Sequence, residues 1–212
     1  MNRTSPLYVS YYTIGNGYEA EAAELERSLN AHRLPHRIEG VVPNGWTWAR
    51  ATQYKAEFLR RMQLEHPDRP IVWLDADARV VRRPLLFDCL DCHFAGHWYR
   101  QRELLSGTLY FAPGRTTQHL VEEWIESNRR HSGGRCADQR NLQELVSRRR
   151  DLRIVNLPAE YAWIDAGSGN DLSSRAYGRR HPVIVQVQAS RRLKNARVVH
   201  ESVPEAVEEP VV

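Results

Sequence analysis

The chain has 212 residues, 42% of them hydrophobic and 26% charged, with a formal net charge of +4 and 28 Arg against two Lys, Lys55 and Lys194. That length and balance suit a globular fold with a sizeable core and exclude wholesale disorder, a collagen-like repeat and a disulfide miniprotein. No apolar run approaches the roughly 20 residues of a membrane-spanning helix, MNRTSPLYVS lacks the apolar stretch of a secretory signal, and three Cys read most simply as reduced thiols, so the expected compartment is the cytoplasm.

LYVSYYT (Leu7 to Thr13) is β-branched and aromatic and is followed by the turn signal IGNG, which predicts a strand. From Tyr18, apolar Ala22, Leu25 and Leu29 are spaced as on one face of a helix. HRIEGVV reads as a second strand, and TWARATQYKAEFLRRMQLEH as a second helix ended by Pro67, Asp68 and Pro70. PIVWLDADARVV begins as a short apolar run of the kind buried on both faces of a sheet. Beyond it come a strand at GTLYFAP, helices from about Thr117 to Asn128 and from Asp138 to Val146, and short strands near RIVNL and PVIVQV. The opening β-α-β-α-β order predicts an α/β fold with a mainly parallel central sheet flanked by helices. Residues 1–200 read as one domain, and ESVPEAVEEPVV (201–212), with four Glu and no basic group, as a flexible acidic tail.

Asp75-Ala76-Asp77 leaves the end of the most apolar predicted strand, and in open α/β sheets ligands bind at the carboxyl ends of strands. Two carboxylates one residue apart can turn toward one hard cation, Mn²⁺ or Mg²⁺, that bridges to a diphosphate; the plainer alternative is a solvated acidic turn.

In this order YVSYYTIGNGYE, TQYKAEFL, WLDADARVVRRPLLFD, SGTLYFAPG, ADQRNLQELV, LPAEYAWI and PVIVQVQASRRLK resemble the nucleotide-diphospho-sugar transferases of the glycosyltransferase A-type fold. The likeness is to small bacterial and phage-type members and, more distantly, to glycogenin-like enzymes. It implies a single Rossmann-like domain, a UDP- or GDP-sugar donor, and transfer to an acceptor hydroxyl; for a phage-encoded member the compartment would be the host cytoplasm. Carried over residue by residue, Tyr12 and Thr13 would meet the nucleotide, and Lys55 the donor phosphates or the aspartate pair. Asp75 would meet the ribose or sugar, with Asp77, and Asp75 too, on the metal. Ser106, Gly107 and Thr108 would line the sugar pocket, and Asp138 and Gln139 would sit beside the anomeric carbon as catalytic residues. Plainer readings stand beside these: Asp138 opens a predicted helix and would serve as its N-cap.

Where relatives often carry a metal-binding His, this chain has Gln186, whose carboxamide oxygen is a weaker ligand. Arg191, Arg192 and Lys194 just beyond it would contact the diphosphate or form a solvated basic face. Cys89-Leu90-Asp91-Cys92-His93 matches the haem-attachment pattern literally, but without a secretory signal it reads as two thiols.

The acceptor is open. Residues 129–200 hold 15 basic and 6 acidic residues, a balance of +9, which would suit a DNA acceptor such as a hydroxymethylated pyrimidine held by Trp46, Trp48 or Tyr161. If the arginines reflect codon usage instead, a glycan, lipid-linked or protein acceptor remains, and a catalytically inactive nucleic-acid-binding module is the alternative of another class.

Overall fold

The structure, a computed structural model, describes residues 4–131, 137–165, 172–178 and 180–189. Arg191 and Lys194, the expected domain boundary at residue 200 and the acidic tail lie outside the described residues.

The first strand, β1 (Leu7–Thr13), is followed by α1 (Glu19–Ala31), β2 (His36–Val41), α2 (Trp48–Glu65) and β3 (Ile71–Leu74), matching the predicted opening. Ala22, Leu25 and Leu29 form the buried face of α1. That helix closes with Leu34 N–H on Leu29 C=O and Arg33 N–H on Asn30 C=O, Arg33 taking the left-handed φ of 52° that such a C-terminal motif needs. At the start of α2, Thr47 caps by accepting from Arg50 N–H at 3.2 Å.

The run from Pro70 to Val81, expected to leave its strand at Asp75, forms two strands in two sheets. A turn closed by Ala78 N–H on Asp75 C=O separates β3 from β4 (Ala78–Val80). After a short 3-10 turn at Leu85–Asp88 come β5 (Phe94–Tyr99) and β6 (Glu103–Phe111), then α3 (Arg115–Arg130), α4 (Ala137–Arg148), β7 (Ile154–Asn156), β8 (Trp163–Ile164), α5 (Leu172–Tyr177) and β9 (Ile184–Gln186). β5, α5 and β8 were not predicted.

The six-stranded sheet has the order β2-β1-β3-β6-β5-β7. All its pairs are parallel except those of β6 with β3 and β5, so five strands share one direction and β6 alone runs against them. A side sheet, β4-β9-β8, packs beside it. Alternation along β1 divides the core: Leu7, Val9 and Tyr11 join Phe58, Leu59, Met62, Trp73 and Trp124 against α2 and α3, while Tyr8 joins Leu25, Leu29, Phe87 and Tyr110 on the other face. Each large side chain so buried contributes roughly 1.5–3 kcal/mol of transfer free energy. No helix of the described residues is long and apolar enough to cross a membrane.

Candidate active site

At the carboxyl end of β3 the chain leaves the sheet through Asp75, whose N–H donates to Gly107 C=O in β6 at 2.9 Å. Trp73, two residues earlier and so on the same face of the strand, donates its indole N–H to Asp75 Oδ1 at 2.8 Å. That oxygen also lies 2.9 Å from Lys55 Nζ. Lys55 is 5% exposed. Its ammonium donates to Ser106 O at 3.1 Å and Ser106 Oγ at 3.3 Å, lies 3.9 Å from Asp138 Oδ2 and stands 5.1 Å over the Trp73 ring. Burial works against that charge, but Asp75, Asp138 and Asp77 outweigh it and hold the Lys55 pKa above its ordinary value.

Asp77 is gripped from the side sheet. Val187 N–H reaches its carbonyl at 3.2 Å, and Ala189 N–H reaches Asp77 Oδ2 at 2.7 Å. Between them Gln188 adopts a left-handed φ of 52°, the kink that separates the two donors. Burial and the neighbouring charge of Asp75 push the Asp77 carboxyl up to about 6 despite the Ala189 N–H. Burial also raises Asp138, which Lys55 opposes and Asp75 reinforces. Three carboxylates thus surround one ammonium, an excess of negative charge that a cation would relieve.

Above this cluster opens a cleft of about 340 Å³, lined by Tyr12, Thr13, Asn16, Trp46, Trp48 and Trp73 among others, with Asp75 and Asp77 in its wall. Pro43 to Trp46 form a tight turn with positive φ at Asn44 and Gly45, closed by Trp46 N–H on Pro43 C=O. Arg50 then stacks on Trp46 and Tyr54, 5.0 and 5.6 Å from their ring centres, and pairs with Glu57 at 2.9 Å.

No protein-family model and no curated protein matches the sequence. In three dimensions the chain superposes on a glycosyltransferase involved in the glycosylation of the major capsid of PBCV-1, with a TM-score of 0.69 at 12% identity over 92% of this chain and all of the other. It matches apo GlyE of Streptococcus pneumoniae TIGR4 with a TM-score of 0.60 at 15% identity, covering 87% of this chain but 54% of GlyE, and apo mouse xyloside xylosyltransferase 1 with 0.54 at 11%, covering 88% and 99%. This is a glycosyltransferase fold.

On the glycosyltransferase fold the expected donor residues converge: Tyr12 and Thr13 line the cleft with Asp75 and Asp77, while Lys55 sits under Asp75. Lys55 lies 2.9 Å from Asp75 and 3.9 Å from Asp138. Ser106 offers backbone and hydroxyl to Lys55, and its N–H and hydroxyl both approach Gln139 Oε1 at 3.3 Å. Gln139 Nε2 donates to Glu103 at 2.8 Å, so its amide bridges Glu103 and Ser106 in the first half of β6. Asp138 is 4% exposed.

Gln186 lies over Gly107. Its Nε2 donates to Gly107 O at 3.1 Å and lies 2.9 Å from Thr108 Oγ1. The aromatic pair expected at the acceptor, Trp46 and Trp48, shares the cleft with Tyr12 and Thr13. Tyr161 does not come to it: the ring packs edge-on against Phe87 in the second core cluster, and its hydroxyl accepts from Leu86 N–H at 3.1 Å. The signal missed for Trp73 was its i, i+2 relation to Asp75; nothing local in the sequence marks Ala189 N–H as a partner of Asp77.

In the Cys-x-x-Cys-His segment, Cys89 is exposed and Cys92 buried, both as free thiols, and His93 Nδ1 accepts from Arg153 N–H at 2.9 Å. Among the described residues no group of three or more His, Cys, Asp or Glu is placed to hold a metal ion. Many arginines of the basic stretch pair with acids: Arg130 with Glu126, Arg148 with Glu144, Arg149 with Glu123 and Asp151, Arg153 with Asp91, and Arg180 with Glu160.

Proposed function

We propose that this protein is a metal-dependent glycosyltransferase that moves a sugar from a UDP- or GDP-sugar to an acceptor hydroxyl. The observation that carries the reading is the way the aspartate pair is held. Asp75 Oδ1 is held by Trp73 and Lys55, and Asp77 Oδ2 by Ala189 N–H. Each carboxylate is thereby oriented, in a wall of the cleft. Hard oxygen donors in an over-negative site fit Mn²⁺ or Mg²⁺. Asp75 and Asp77 would hold that ion, and when bound it supplies positive charge to a departing diphosphate.

The chain's own residues do the rest. Lys55 fixes Asp75 and keeps the cluster's charge in bounds. Tyr12, Trp46 and Trp48 offer flat apolar surface to a base or sugar ring. Gly107, lacking a side chain, gives room to the Gln186 amide that lies over the strand beside Asp75. In the transfer the anomeric carbon exchanges its bond to the diphosphate oxygen for one to the acceptor oxygen, and the acceptor's proton must leave. Asp138, whose carboxyl is raised and which lies near the cluster, is the residue we assign to that proton. Incubation with nucleotide sugars and simple acceptors tests the reading: transfer should vanish in EDTA and in Asp77→Ala, and full activity in either would refute the metal.

For the acceptor, a glycan, lipid-linked or protein hydroxyl has more support than a pyrimidine in DNA, because five described arginines of the +9 stretch, Arg130, Arg148, Arg149, Arg153 and Arg180, are engaged by carboxylates. Binding to duplex DNA that weakens steeply with salt would reverse that preference.

A further inference from the structure

We propose that Gln186 is a positioning residue that holds the aspartate turn in place, not a ligand of the metal. It rests on the glycosyltransferase reading only for what the positioned turn serves. Gln186 is 7% exposed and belongs to β9 in the side sheet, opposite Ala78 in the strand that follows Asp77. Its carboxamide crosses to the main sheet. The nitrogen of that amide is fixed by chemistry as well as geometry, because the group facing it at 3.1 Å is the carbonyl of Gly107, which can only accept.

The same Gly107 carbonyl accepts the N–H of Asp75 at 2.9 Å. One oxygen of β6 therefore gathers the residue that follows β3 and a side chain of the side sheet, and the segment Asp75 to Asp77 is pinned between them. The fit is close: a Cβ on Gly107 would stand 2.9 Å from Gln186 Cδ and 3.0 Å from its Oε1. Gly107 is a glycine, on this geometry, because the amide of Gln186 lies flat across it.

A side chain whose nitrogen is held by a backbone carbonyl and a neighbouring hydroxyl does positioning work that needs no metal. The two aspartate oxygens are positioned by other groups, Lys55 and Trp73 for Asp75 and Ala189 N–H for Asp77, so a cation does not need Gln186. Diphosphate and water oxygens would supply the rest of its ligands.

The test compares full-length wild type, Gln186→Met and Gln186→Glu. Methionine keeps the length and lacks the donor, so in EDTA Gln186→Met should melt about 2–6 °C lower, the shift that a buried hydrogen bond of ordinary worth gives in a chain of this size. Its Mn²⁺ affinity, read from the free-ion signal in electron paramagnetic resonance, should stay within about threefold of wild type, whereas loss of a ligand would weaken it by about tenfold or more. In Gln186→Glu only the protonated carboxyl can donate to Gly107, so its melting deficit in EDTA should widen from pH 5 to pH 8, a profile that simple loss of packing would not produce. An unchanged melting temperature for Gln186→Met in EDTA, or a tenfold loss of Mn²⁺ affinity, overturns the proposal. Should wild type bind no Mn²⁺ at all, the metal reading fails while the EDTA arm still reports on Gln186.

Discussion

Replacing Lys55 by Met exposes how much the site depends on one ammonium. The substitution keeps the length of the side chain and removes the charge. It strands Asp138, which is 4% exposed and lies 3.9 Å from the lost ammonium, and it removes the 2.9 Å partner of Asp75. Breaking a buried ion pair from one side costs about 3–5 kcal/mol. Asp75 is better solvated and adds little, while Asp138 can escape part of the cost by taking up a proton. A net loss of about 2–4 kcal/mol at pH 8 follows, which in a chain of this size lowers the melting temperature by roughly 4–16 °C. The pH dependence has a definite sign. Lys55 pulls the Asp138 pKa down, so without it the carboxyl rises further above its unfolded value. A folded state that holds an extra proton loses stability as pH rises. The deficit of Lys55→Met relative to wild type should therefore be small near pH 4 and grow toward pH 8. Differential scanning fluorimetry across that range is the assay. A melting temperature within about 1 °C of wild type at pH 8, or a deficit that shrinks as pH rises, would mean that Lys55 does not neutralise this cluster.

Four further outcomes are expected. Asp77→Asn should abolish transfer yet stabilise the metal-free protein at pH 8, by at most about 3 kcal/mol, because it removes a carboxyl pushed up to about 6; thermal melts in EDTA should show the gain fading by pH 5. Gly107→Ala should lower both the melting temperature and transfer, since its Cβ meets Gln186 Cδ at 2.9 Å. Trp48→Ala, at a side chain 42% exposed that lines the cleft, should weaken substrate binding measured by calorimetry. Tyr161→Phe should cost about 1 kcal/mol through the lost bond from Leu86 N–H and leave transfer kinetics unchanged.

Much of the framework was legible because its signals are local. The helical spacing of Ala22, Leu25 and Leu29 and the apolar run Ile71 to Leu74 both act within a few residues. The division of the Pro70–Val81 run was not legible, since the Asp75 turn sends its two halves into different sheets and both halves carry apolar side chains. β5 escaped because FAGHWY follows a Cys-x-x-Cys-His segment and holds a buried His97, whose ring nitrogens are taken by Leu157 O at 2.7 Å and Tyr177 OH at 2.9 Å. At the site, the aspartates announced themselves by type and by their place after a strand. The meeting of Lys55 with Asp138 did not, because the two are brought together only by the packing of α2 and α4. Tyr161 misled for a related reason: an aromatic ring in a loop-like sequence says nothing about which side of the sheet it faces.

The grip of the side sheet on Asp77 bears on how the protein comes into being. The bond from Ala189 N–H to Asp77 Oδ2 spans 112 positions in the sequence, whereas the strands of the main sheet are complete by Asn156. A growing chain can therefore assemble its six-stranded sheet while its carboxylate cluster is still unfinished. Asp77 reaches its working orientation only when the segment after β9 arrives, late in synthesis. A product cut short before Ile184 would keep a nearly whole sheet and have an ungripped Asp77, so truncation there silences the site without unravelling the sheet beneath it.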